Sequence, residues 1–414
     1  MVVAAACSSP EEEPRAGAWV GDSETSGNVT TVVNESGSLW AGTAQLLEEA
    51  SIGVDLGEDP YMLGRPAGVY ANDDRIYLVD EEAFVVRVYD HQGVHLFSFG
   101  QRGQGPGEFQ DPYSIGGSAD GRIFVGDYRN GRINVYTADG GYLADYPLGR
   151  VQCCVRQMVV TPDGLPHWHI RGEYDEADPV GLSHPMQAFA EDGAVGEPVG
   201  PPDVDVPRTT ITVEGRRSPT PFSPGLVWRL APSGAVVWGT SDVYRFEVRH
   251  PDGQRLVVER NSGRTAVQSD EREWARLHRI ASHRRSNPDW NWDGAEIPDF
   301  KPAFDEFVPA HSGEIWVVRP GPGVKDPECD DRHTPDDWPY HSQHYRCWRD
   351  RLLIDVFDAE GVYLGDVEAP EGIVVNSIAS PFIRGDMVVA ALYSPDGVIR
   401  VKRYRLAPPE RDEQ

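Results

Sequence analysis

The chain has 414 residues, of which 66 are acidic and 38 basic, for a formal net charge of −28. Such a field repels phosphate backbones and disfavours nucleic acid as a partner. The apolar fraction of 39% suits a soluble fold, and no apolar run reaches the roughly 18 residues of a transmembrane helix.

The chain begins Met1-Val-Val-Ala-Ala-Ala-Cys7-Ser8-Ser9-Pro10. Small residues before a cysteine, then a polar stretch, resemble the end of a bacterial lipoprotein signal. The resemblance implies that the Cys7 thiol carries diacylglycerol and that the protein sits at the outer membrane or surface of a bacterial cell, touching the membrane only through that anchor. No basic or full apolar region precedes Cys7, so residues 1–7 read as a truncated signal with the true start upstream, or Cys7 is incidental. Residues 8–40, rich in Glu, Gly, Ser and Thr, read as a flexible tether.

The core of the chain is repetitive. Arg75-Ile-Tyr-Leu-Val-Asp80 and Arg122-Ile-Phe-Val-Gly-Asp127 are equivalent runs, and Ile76/Ile123, Asp80/Asp127, Tyr89/Tyr136, Gly93/Gly140 and Leu96/Leu143 all share an offset of 47 residues. Between the apolar runs lie Asp120-Gly121, Asn130-Gly131 and Asp139-Gly140, dipeptides that supply the positive φ of tight hairpins. Each unit therefore reads as a four-stranded antiparallel meander the size of one propeller blade. Six units occupy approximately 62–109, 110–150, 151–200, 218–260, 300–370 and 373–406. The last lacks an outer strand, and an open sheet edge invites aggregation, so a strand near 45–54 is expected to close the ring. The propeller then spans 41–408, followed by an acidic tail at 409–414.

The run Gly103-Gln-Gly-Pro-Gly-Glu-Phe109, Asp111-Pro112, Asp120-Gly-Arg-Ile-Phe-Val-Gly-Asp127 and Asn130-Gly-Arg-Ile-Asn-Val-Tyr136 resembles the NHL repeat, and is similar to six-bladed propeller lipoproteins of bacteria. The likeness is strong over 66–143 and only patterned from 151 to 406. It implies an all-β, six-bladed propeller with four-stranded antiparallel blades. It does not imply one activity, because members include protein- and RNA-binding modules, lyases and lactonase-like hydrolases.

Two insertions, 261–299 and 320–351, interrupt the pattern. The first contains one helix, Ser269–Arg284, with Ser269 as expected cap, acids in the first turn, basic residues in the last, and Trp274, Leu277 and Ile280 on one face. It either packs over a propeller face or acts as a lid on the channel. Asn287-Pro-Asp-Trp-Asn-Trp-Asp293 follows, whose tryptophans either stack on sugars or pin the loop to a core. The second insertion carries Cys329 and Cys347, a disulfide candidate that would staple a long loop, with zinc as the rival reading because Asp330, His333, His341 and His344 share it. Setting Cys7 aside, the other cysteines are the adjacent Cys153 and Cys154, also disulfide candidates.

No nucleophile elbow, phosphate loop, metalloprotease or EF-hand motif is present, and catalytic residues are not identified. Asp80 and Asp127 recur at equivalent strand ends, which favours a structural role on backbone amides over a metal at the channel mouth. By register, His169 or Arg171 falls at that position in the third unit and Arg319 in the fifth, making an asymmetric pocket in which the arginines pair with Asp80 and Asp127 or bind a carboxylate or sulfate. His167 and His169 share a strand face and can ligate a metal or act as acid and base. The acids of 173–178 are a weak Ca²⁺ signal. No cofactor is expected, with Ca or Zn as minor alternatives. The leading expectation is a monomeric, surface-anchored module that binds a protein, peptide or glycan at a propeller face. The alternative is a metal-dependent lactonase-like hydrolase or lyase with its site in the central channel.

Overall fold

The dipeptide turns of the repeat fold as their chemistry requires. Gly121, Gly131 and Gly140 take φ of 84°, 64° and 79° and connect the four strands of one sheet in succession. The same construction recurs around a six-bladed β-propeller, in a computed structural model that describes residues 17–148, 158–169, 184–327, 347–375, 380–393 and 397–409.

Blade one is Pro66–Ala71, Arg75–Asp80, Val85–Asp90 and His95–Phe99; blade two is Pro112–Gly117, Ile123–Asp127, Arg132–Tyr136 and Tyr142–Pro147. Blade three has strands Met158–Val160, Pro166–His169 and Met186–Ala188, extended by bridges from Met186 to Val199 and Phe189 to Val195. Blade four is Leu226–Leu230, Val236–Thr240, Arg245–Arg249 and Arg255–Arg260; blade five is Glu306–Pro309, Ile315–Lys325, Trp348–Phe357 and Tyr363–Val367. In blade six, Phe382–Arg384, Met387–Tyr393 and Ile399–Ala407 are joined on the outside by Gln45–Ile52, antiparallel to the third strand, so an N-terminal strand closes the ring.

The core lies in the layers between blades. Trp168 of blade three is fully buried against blade two, edge-on to Tyr113 at 5.4 Å. It fits because Gly126 has no side chain: a Cβ there would stand 2.2 Å from the indole. One aromatic and one glycine thus lock two neighbouring sheets, and a methyl group at position 126 would force them apart.

Residues 20–36 overturn the tether expectation. Val20–Ser26 and Val29–Ser36 form a hairpin whose second strand runs parallel to Arg255–Arg260, enlarging blade four to six strands. The alternation Val29, Thr31, Val33 against Thr30, Val32, Asn34 is a strand pattern that a Gly- and Ser-rich composition conceals. Asn34 fixes the hairpin to two blades. Its amide nitrogen donates to the carbonyls of Glu259 (3.2 Å) and Gly361 (3.1 Å), and its oxygen accepts from Trp19 Nε1 and the Tyr363 amide, both at 2.8 Å. The chain then follows the outer edge of blade five, where Trp40 and Ala44 amides donate to Leu364 and Asp366 carbonyls, before entering blade six. The N-terminal segment is a strap across three blades.

Two further expectations are corrected. The helix Ser269–Arg284 is capped by Gln268, not Ser269, in a reciprocal arrangement with Glu271. The second insertion is not loop throughout: the second and third strands of blade five run on as a hairpin, pairing Gly323 with Asp350 and Lys325 with Trp348 past a bulge at Pro320–Gly323. At its end the Asp326 amide donates to the Cys347 carbonyl at 2.7 Å.

Asn34→Ala is expected to lower unfolding free energy by about 2–4 kcal/mol, because it strands several buried backbone groups; urea denaturation with an unchanged slope would read this out, and a loss under about 0.5 kcal/mol would deny the strap its structural role.

Candidate functional site

Second strands end, and crossovers enter the next blade, on the same face of the ring. That face is where Asp80 and Asp127 lie, both fully buried. Asp127 accepts from the amides of Gln110 and Asp111, each at 2.9 Å, and from Asn130 Nδ2 at 2.8 Å. Asp80 accepts from the amides of Gly64, Arg65 and Ala83 at 3.3 Å and from Arg87 Nε at 3.0 Å. Each carboxylate gathers the N–H groups of an incoming crossover and of its own turn, so both are joints of the scaffold. Burial nonetheless holds the Asp127 carboxyl above its ordinary range, against the lowering effect of those donors.

The register to the third blade is corrected. Turns Ser118–Arg122 and Thr161–Leu165 match bond for bond, so Asp127 corresponds to position 170, between His169 and Arg171. Positions 170 and 171 lie outside the described residues, as do Cys7, Cys153, Cys154 and Cys329. Cys347 is described and buried.

His167 and His169 do share a face of their strand, turned to blade four, but their rings serve separate purposes. His167 Nδ1 lies 3.3 Å from Thr161 Oγ1 and the Leu165 carbonyl. His169 Nδ1 donates to the His184 carbonyl at 2.8 Å, and its ring stands edge-on to Trp228 at 5.4 Å. Burial lowers both, His169 to about 4. Among the described residues no group of three or more His, Cys, Asp or Glu is placed to hold a metal ion.

Arg319 does occupy the fifth-blade counterpart of Asp80, and it meets neither Asp80 nor Asp127. In blade one, Leu78 pairs with Arg87, and in blade five, Val317 pairs with Asp355, so Arg87 and Asp355 are equivalent. The buried ion pair Asp80–Arg87 therefore reappears as Arg319–Asp355 (3.2 Å) with its polarity reversed. Asp355 also binds Arg260, Tyr244 (2.6 Å) and Tyr363 (3.3 Å). The Arg260 guanidinium lies 3.6 Å over the Tyr363 ring and that of Arg319 5.2 Å over the Tyr244 ring, within the range of cation–π attraction. Burial, reinforced by Asp355, keeps the Tyr244 hydroxyl protonated far above its usual range. Beside this cluster is a cleft of about 340 Å³ between blades four and five, lined by Arg260, Arg264 and Arg319 among others.

A cap covers the same face. It comprises the helix, the extended hairpin of blade five, and a hairpin, Thr210–Val213 with Arg216–Pro219, from the crossover into blade four. Lys301 joins the first two. Its ammonium is wholly buried and donates to Glu271 Oε1 (2.5 Å), to the Gly321 carbonyl (3.1 Å) and to Asp350. Trp290 joins the helix to the third, packing with Ile211 and Ile280 and donating from Nε1 to the Thr212 carbonyl at 3.0 Å. The tryptophan loop thus pins the insertion through Trp290. Trp292 stays half-exposed under Arg276, whose guanidinium lies 5.0 Å from the ring. A narrow space of about 100 Å³ at the centre of the ring, lined by Gly68, Tyr70, Ser114, Ile115, Val160 and His311 among others, includes no residue of the helix.

Sequence reading missed Lys301, Tyr244, Arg260 and Asp355. Lys301 carried a signal: it is one of three lysines, with Lys325 and Lys402, in a chain whose other basic residues are arginines.

The His169 environment makes stability depend on pH. The folded state holds the ring near pKa 4 whereas the unfolded chain binds its proton near 6.5. Stability from this residue is present in full above pH 6.5 and is lost as pH falls toward 4, up to about 3 kcal/mol in all. His169→Phe should flatten that part of the stability–pH curve; an identical curve would refute the assignment.

A sequence-family model, DUF5128, described as a 6-bladed beta-propeller, matches residues 57–178. Among solved structures, a member of the DUF4221 family from Bacteroides vulgatus aligns with a TM-score of 0.52 at 11% identity, covering 89% of this chain and 99% of that one. A putative exported protein from Bacteroides fragilis aligns with a TM-score of 0.47 at 11% identity, covering 91% and 99%. Virginiamycin B lyase from Staphylococcus aureus aligns with a TM-score of 0.38 at 11% identity, covering 86% and 98%. At these identities the likeness is one of fold.

Proposed function

We propose that this chain is an envelope-anchored binding or scaffold propeller that engages a protein, peptide or glycan through its capped face. The observation that carries the reading is the convergence of three separate excursions into one cap, fixed by the buried Lys301 ammonium between Glu271 and Asp350. Loops held rigidly by a scaffold are the usual place for recognition. The cap presents arginine beside tryptophan, Arg276 on Trp292, both residue types that are enriched at interface hot spots. The space at the centre of the ring carries Tyr70, Ser114 and His311 beside its apolar and backbone surface, and a hydrolase or lyase reading would rest on those side chains.

A photo-crosslinking residue at Arg276 is expected to give a discrete adduct in intact cells, and one at Asp252, in a turn on the opposite face, none. Equal labelling from both faces, or none from either, would sink the reading.

Anchoring belongs to the same proposal. Cys7 carries the lipid, and residues 8–17 bridge to the strap, a reach of at most about 35 Å when extended. With the gene expressed from its natural start, Cys7→Ser should move the protein from the detergent phase to the aqueous phase; unchanged partitioning would rule out lipidation at this residue.

A further inference from the structure

We infer that the cleft between blades four and five is a binding site for the carboxylate of a small organic acid, an inference that rests on the capped face being a recognition surface. Its origin lies in the reversed ion pair. In blades one and two an acid at the end of the second strand collects the amides of the incoming crossover, and the crossover closes down on it. Arg319 stands at that position in blade five. A guanidinium has only donors, so it cannot receive those amides. The crossover that follows Arg260 gives it one carbonyl instead, Gly263 to Arg319 Nη2 at 2.9 Å, and a space of about 340 Å³ remains.

Cations outnumber anions around that space. Arg260, Arg264 and Arg319 line it against Asp242, with Asp355 behind, three cations to two anions in a chain of net charge −28. Arg319 Nε, Ser262 Oγ and Asp242 Oδ1 are buried there with no hydrogen-bond partner among the described residues. The cations are already oriented, Arg260 by Tyr363 and Asp355, and Arg264 at the rim by the Lys301 carbonyl at 3.1 Å, which ties the cleft to the cap. Planar forks set in this way match a planar carboxylate and are fixed before it arrives. The volume is at the lower end for ligand pockets, which suits a small acid.

Calorimetric titration of the full chain at low salt, with glutarate, glucuronate, sulfate and glucose as probes, tests this. Glutarate or glucuronate should bind, glucose should not, and affinity should fall at least tenfold in Arg264→Gln and in Arg319→Gln. Arg264 is exposed, so its variant separates a binding defect from a folding defect. No binding of either acid, unchanged affinity in both variants, or preference for sulfate would each overturn the inference. If cap crosslinks persist while both acids fail to bind, the cleft assignment alone is lost; if an acid binds while no cap adduct forms, the partner reading alone is lost.

Discussion

A propeller depends on its joints. Where a crossover leaves one sheet and enters the next, its amides turn into the protein and need acceptors, because buried N–H groups without partners are costly. Asp80 and Asp127 are that acceptor in the first two blades. Each is withdrawn from water and satisfied by backbone, and each fixes the angle at which one sheet follows another. Blade packing, with Trp168 lodged against Gly126, is then filled in between sheets already held at their corners.

Blade five keeps the pair and exchanges its signs. The swap preserves a buried cation and anion at the same two framework positions, so the sheet itself is undisturbed. It changes what the crossover above can do. The insertion that follows blade four is secured elsewhere, by Lys301, whose ammonium is tolerable out of water only because two carboxylates and a carbonyl surround it. The fold has moved the joint from the ring into the cap, and the cleft is the gap between the two.

Architecture was legible because it rests on local, repeated chemistry: glycine at positive φ, alternating apolar runs and a constant offset that names equivalent positions. The same logic set Arg319 and Asp80 at equivalent strand positions and gave the two aspartates a structural reading on backbone amides. It failed where partners come from distant parts of the chain. Asp355 follows Arg319 only after the second insertion, and Tyr244 and Arg260 belong to another blade, so no local pattern announces that they meet. The strap was missed for a related reason. Val29–Ser36 is a short strand between glycines, and its identity is conferred by the edge of Arg255–Arg260, more than two hundred residues away. The third-blade register slipped by one because a run ending in an acid was sought where the matching position carries none.

The strap also orders events in time. Its residues are made before any blade, yet their partners at 255–260, 363–367 and 399–407 are made more than two hundred residues later. Until then Val29–Ser36 and Gln45–Ile52 have no edge to join, and blades four and six keep open edges of their own. Contacts of such long sequence separation form slowly. The strap therefore waits for partners far along the chain, and the ring closes only when Gln45–Ile52 has paired with Ile399–Ala407.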